Sequence, residues 1–286
     1  MDARDGISTN MCARLRLRWL TLVAVVAVCT SLYAQDAQQI VQKAVNEELA
    51  ASKADHSLWR YRDDHRDIST VYIVVQTSQG SVKRLMERNR KPLSAAEAEA
   101  EQQRIQNFIH NPSQIRKQQR DSAQDDKNAE DLLRLLPRAF RWKVVSETDE
   151  LTTLSYEPNP DFDAPDIKSR VMGTMGGEMV IDRKAHRIRT IKGELTDDVS
   201  IGWGILGKLR KGGTFDVERR EIAPGIWQIV ETHVHINGRA LFFKSIGQQQ
   251  DEISSDFTRV PQTTTLEQAA TLLNSPLDEQ AETHGR

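Results

Sequence analysis

The sequence predicts an α+β fold: an antiparallel β meander curled into an unclosed barrel, covered by an N-terminal helix and a helical insert. Three observations predict it. Apolar residues alternate with polar ones from Val71 onward and again after Pro137. Turn residues divide these runs at hairpin spacing. The period lengthens to three or four after Asp36 and between Ser94 and Leu136, where the chain is charged and nearly free of glycine.

Taken in order, the chain opens on a leader. Arg14, Arg16 and Arg18 precede an apolar run from Trp19 to Tyr33, and Ala34-Gln35-Asp36 follows. A basic region, about 15 apolar residues and a small residue before a polar start describe a secretory signal peptide over 1–34. The run is short of the roughly 20 residues that a spanning helix needs. The mature chain is expected to begin near Gln35 and to work outside the cytoplasm; left uncleaved, the leader would tether it.

Residues 35–262 read as one domain with a helical insert at 94–136, and 263–286 as a short helix and disordered tail. Ile40, Val41, Ala44, Val45 and Leu49 form one buried helical stripe. Val71, Ile73 and Val75 share one face of a strand, and Tyr72 and Val74 the other. Ser94 and Glu97 make a capping box. The insert breaks near Asn111-Pro112, and its second helix is expected to stop before Pro137. Phe140, Trp142 and Val144 begin the meander, which continues through Leu154, Tyr156, Met179, Ile181, Ile188 and Ile191. Ile226 to Ile236 and Ala240 to Ile246 read as two strands joined by a turn at Asn237-Gly238. Strands that alternate apolar with charged residues are expected to have one dry and one wet face, and a sheet this large must curl to cover its dry face.

Composition excludes several chemistries. Both cysteines, Cys12 and Cys29, lie in the leader, so the mature chain has no disulfide, zinc-thiolate site or cysteine nucleophile. The chain has 39 Lys and Arg against 41 Asp and Glu. Its net charge of −2 offers no global attraction to nucleic acid or to an anionic membrane.

No motif carries a reaction. Gly202 to Gly207 with Lys208 nearly spells a phosphate loop, but Leu209 replaces the magnesium-binding hydroxyl and no βαβ unit surrounds it. A glycine-rich loop between strands is expected. His233 and His235 leave one strand face about 7 Å apart beside Glu231, with no third ligand in view; two solvated histidines are expected, and no metal. Asp161 and Asp163 fall in a proline-rich loop. Lys208, Arg210, Lys211, Arg219 and Arg220 read as a solvated rim. No catalytic residue and no cofactor is expected.

What remains is an apolar set: Trp59, Tyr61, Val71, Ile73, Val75, Phe140, Trp142, Leu154, Tyr156, Met179, Ile181 and Trp227. An unclosed sheet leaves these residues free to line an apolar cavity suited to an acyl chain.

Gly177-Glu178-Met179-Val180-Ile181-Asp182, followed by Ile188 and Leu195, resembles the hairpin of the periplasmic lipoprotein-carrier superfamily, in which a strand ends in an acidic turn. That superfamily includes the LolA and LolB carriers, the LppX-type proteins and the amino-terminal domain of RseB. The segment from Trp227 to Ile246, with Phe257, resembles its closing strands. The resemblance implies an unclosed barrel lidded by helices and a periplasmic, non-enzymatic carrier or sensor of a lipid or acyl-chain ligand. Envelope proteins are further partners, nucleic acid is not, and only the leader touches membrane. The alternative is an envelope protein–protein interaction module with an ordinary filled core.

Overall fold

Thirteen strands form one antiparallel sheet in the computed structural model, which describes residues 36–201, 207–240 and 245–275. The expected leader, with Cys12 and Cys29, lies outside the described residues, as do most of the glycine-rich segment and the last eleven residues.

Helix α1 covers residues 36–54. The strands β1 (Leu58–His65), β2 (Thr70–Thr77), β3 (Gly80–Arg88) and β4 (Lys91–Pro92) follow, then α2 (Ala95–Ile109) and α3 (Pro112–Ala139). Next come β5 (Phe140–Glu147), β6 (Leu151–Pro158), α4 (Ile167–Gly173), β7 (Met175–Asp182) and β8 (Arg187–Leu195). The short β9 (Val199–Ile201) and β10 (Gly207–Leu209) precede β11 (Thr214–Ala223), β12 (Ile226–Ala240), β13 (Ser245–Val260) and α5 (Leu266–Leu272). The spatial order is β4-β3-β2-β1-β13-β12-β11-β8-β7-β6-β5, with β10 beside β12 and β9 beside β10. Strands β4 and β5 do not pair with each other, so the sheet is unclosed, as the alternation predicts.

Its two faces bury different helices. On one, Val41, Val45 and Leu49 of α1 pack with Leu154, Met179, Ile181 and the Phe140–Trp142–Tyr156 aromatic group. On the other, α2 and α5 cover Ile73, Val75 and Val82 through Ile105, Ile109, Leu266 and Ala269. The tail helix therefore closes a core, nucleated by a Thr265–Gln268 capping box.

A buried charge cluster latches α1. Glu48 is 3% exposed, accepts from the Ile188 amide at 2.9 Å and from Arg187 at 2.8 Å, and is paired to Arg219. Burial raises its pKa, but the Arg187 hydrogen bond and the Arg219 charge outweigh burial and hold the carboxyl below its usual range. Arg219 thus belongs to a buried clamp and not to a solvated rim.

The outer edge of β3 is plugged by helix side chains. Gln118 bonds both the amide and the carbonyl of Ser81, Arg104 donates to the Lys83 carbonyl, and Glu101 accepts from the Leu85 amide. These groups stand where a further strand would bond and remove a site of edge-to-edge pairing.

Two expectations are corrected. Helix α3 runs through Pro137 to Ala139. Proline there forfeits the one hydrogen bond that would run to the Leu133 carbonyl, and among the last carbonyls, which lack helical donors, that of Leu136 takes one from the Trp142 indole. Asn237-Gly238 is not a turn: β12 continues to Ala240, with Asn237 opposite Gly247 and Gly238 between Ile246 and Leu209. Two partner strands hold that stretch extended against its local turn preference. Strand β2, apolar on both faces in sequence, is buried on both: Val74 is as buried as Val71 and Val75.

Candidate functional site

The register places one row of side chains on a single face across nine strands. It runs Val144–Leu154–Met179–Ile191–Val217–Thr232–Glu252–His65–Thr70, each residue directly opposite the next. Directly paired residues point to the same side of a sheet. The row is apolar under α1 and turns polar at β12, beyond the helix's packing.

That second half is a half-open groove of about 420 Å³. Trp59, Tyr61, Asp63 and His65 reach it from alternate positions of β1, with Lys83 from β3 and Glu252, Ser254 and Phe257 from β13. Gln228, Val230 and Thr232 line it from β12.

Its two ends differ in chemistry. At one end the Tyr61 and Phe257 rings stack at 5.2 Å, and Trp59 meets Phe257 edge-on at 6.3 Å. Burial pushes the Tyr61 hydroxyl pKa up, assisted by Asp63 and Glu252, so it stays protonated.

At the other end His65 lies between two carboxylates. Its Nε2 is 3.0 Å from Asp63 Oδ2 and its Nδ1 is 2.9 Å from Glu252 Oε1. These hydrogen bonds, Asp63 first, push the His65 pKa up to about 10, so the ring is an imidazolium at neutral pH. Burial raises Asp63, but His65 and the Lys83 ammonium, 3.6 Å away, hold it below its usual range. The bond to His65 likewise lowers Glu252. The donor set could hold a cation: the ligand atoms of Asp63, His65 and Glu252 all lie within 4.8 Å of one another.

A related arrangement occupies the opposite face. His233 of β12 stands between Asp251 at 2.8 Å and Glu231 at 3.5 Å, and His235 bonds Gln249. Adjacent acids of β13, Asp251 and Glu252, thus each meet an imidazole directly across from them, His233 and His65.

The twelve apolar candidates separate. Trp59 and Tyr61 line the groove. Phe140, Trp142, Leu154, Tyr156, Met179 and Ile181 pack under α1, and Ile73 and Val75 under α2 and α5. Val71 is fully buried, and Trp227 lies beneath the Arg187 guanidinium, 5.9 Å from its ring centre. Tyr156 covers Gly193, where a Cβ would come within 2.3 Å of its hydroxyl.

Among the remaining motif residues, Gly207, Lys208 and Leu209 form β10, and Lys208 pairs with Asp198 at 2.7 Å. Asp161 is exposed and faces Arg141.

Sequence reasoning overlooked β1 as a strand, and with it Asp63 and His65. The signal was present: Trp59, Tyr61, Asp63 and His65 alternate with Arg60, Arg62 and Asp64, a period of two masked by charge.

No family model, curated protein or solved structure matches this chain. Among the described residues, no helix is long and apolar enough to cross a membrane.

Proposed function

We propose that this chain is an exported, periplasmic binding protein that carries or senses a lipid or acylated ligand and catalyses no reaction. The observation that supports this reading is the groove over β1, β13 and β12. Its volume of about 420 Å³ lies in the range of small-molecule sites. Its Trp59–Tyr61–Phe257 end suits an alkyl chain, and its Asp63–His65–Lys83 end a polar head group. Each methylene buried there contributes ~0.8 kcal/mol.

The envelope interaction module is the second reading. Its support is the packing of eight of the twelve apolar candidates into two side-chain cores beneath helices, away from the groove.

Titration of the leaderless chain with a fluorescent C12 fatty acid separates the two. Saturable binding weakened about tenfold by Tyr61→Ala or Phe257→Ala, the equivalent of ~1.4 kcal/mol, supports carriage. Absence of saturable binding, or binding indifferent to both substitutions, leaves the module.

A further inference from the structure

We propose that Asp63, His65 and Glu252 form a binding site for one divalent transition-metal cation at the polar end of the groove. This inference does not rest on acyl binding, and the two are measured separately.

Three features carry it. The first is the donor set. One imidazole and two carboxylates suit zinc, manganese or iron in the divalent state. Their ligand atoms already lie within 4.8 Å of one another. In a tetrahedral shell, metal bonds of ~2.0–2.2 Å place donors roughly 3.3–3.6 Å apart, so the donors must draw in, and one carboxylate must leave its ring nitrogen and turn toward a metal bound at the other. The second is the platform. Glu252 and His65 are direct cross-strand partners, and Asp63 is two residues from His65 on the same face. All three donors therefore stand on two adjacent strands, a stiffer base than loops. The third is access. The site opens into the groove, which leaves room for a water or ligand oxygen to complete a tetrahedral shell.

The imidazolium now fills the place of the cation. Both of its ring nitrogens are bonded to the carboxylates that a metal would take. Metal entry releases one imidazolium proton to solvent and leaves a neutral ring as ligand. The Lys83 ammonium, 3.6 Å from Asp63 and partly exposed, must swing outward. Lys83 therefore opposes the metal.

The opposite face supplies an internal control. Glu231, His233 and Asp251 repeat the same residue types with side chains 29–31% exposed, against 8% for Asp63, 17% for His65 and 28% for Glu252. Among the described residues, Asp63, His65 and Glu252 are the group of three whose donors converge.

The test uses leaderless protein stripped with a chelator, titrated at pH 7.5 with Zn2+ against a chromophoric competitor, and with Co2+ by visible absorption. One Zn2+ per chain is expected. Glu252→Gln, which keeps an acceptor for His65, and His65→Ala should each weaken it at least about tenfold, and His233→Ala should leave it unchanged. Lys83→Met should tighten binding, an effect that a merely unfolded variant cannot produce. Absence of stoichiometric binding, binding that survives Glu252→Gln and His65→Ala, loss in His233→Ala, or weakening by Lys83→Met would each overturn the assignment.

Discussion

The two halves of the β5–β2 face begin from the same pleated register and end in opposite chemistry. Under α1 the row Leu154–Met179–Ile191 is packed against Val41 and Val45. Further along, the same row reads Thr232–Glu252–His65 and opens to solvent, before ending on the buried Thr70. Alternation makes a face available on both halves. Whether it becomes core or groove depends on which half a helix covers. The covered half gains roughly 1.5–3 kcal/mol per buried aliphatic side chain. The open half holds charges, whose desolvation is offset by their own hydrogen bonds.

The largest effect expected on the covered half is at its latch. Glu48→Ala strands Arg187 and Arg219 without their buried partner and should cost about 3–5 kcal/mol in urea unfolding. Because the folded pKa of Glu48 is depressed, its stabilisation is present above pH 4.5 and is lost as pH falls. A cost below about 1 kcal/mol would mean that α1 is held by its apolar stripe alone.

Met179→Ala is next, at about 2–5 kcal/mol from the cavity it leaves in a fully buried position. Cation and acyl binding at the groove should be unaffected. A change in either would show that the two halves are coupled.

On the open half, His65→Ala should cost about 1–3 kcal/mol near neutral pH in metal-free protein, by taking one donor from each of Asp63 and Glu252. The sign of its pH dependence follows from the raised pKa. The His65 contribution is complete below pH 6.5 and fades as pH climbs toward about 10. Asp63, Glu252 and Lys83 are the charged groups that face it. The wild-type-minus-variant stability difference should therefore shrink across that interval; a flat difference contradicts the imidazolium.

His233→Ala is the smallest, at about 0.5–1 kcal/mol, because its side chain is about a third exposed and water can replace part of its bonding, although the Asp251 Oδ1 that it meets is buried. A loss above 1 kcal/mol would erase the distinction between the two acid–imidazole–acid clusters.

Much of this fold was legible because its signals are local. The α1 stripe, the Ser94–Glu97 box with its Asn111-Pro112 break, and the meander from Phe140 onward all appear where the periods place them. The failures were also local signals, overridden from a distance. Asn237-Gly238 prefers a turn, but partner strands on both sides keep it extended. Pro137 is a helix breaker, but it sits in a last turn where the Trp142 indole serves a free carbonyl. Strand β1 was hidden because groove residues are charged at positions where a core strand would be apolar.

Local order along the chain sets the alternation and the helix caps, since each depends on neighbours a few residues apart. Which apolar residues became core and which became groove was settled by long-range packing. It also brought Glu252, nearly 190 residues away in sequence, across from His65. Strand pairing between distant segments depends on which faces the helices bury together, and no local period in the chain records that choice.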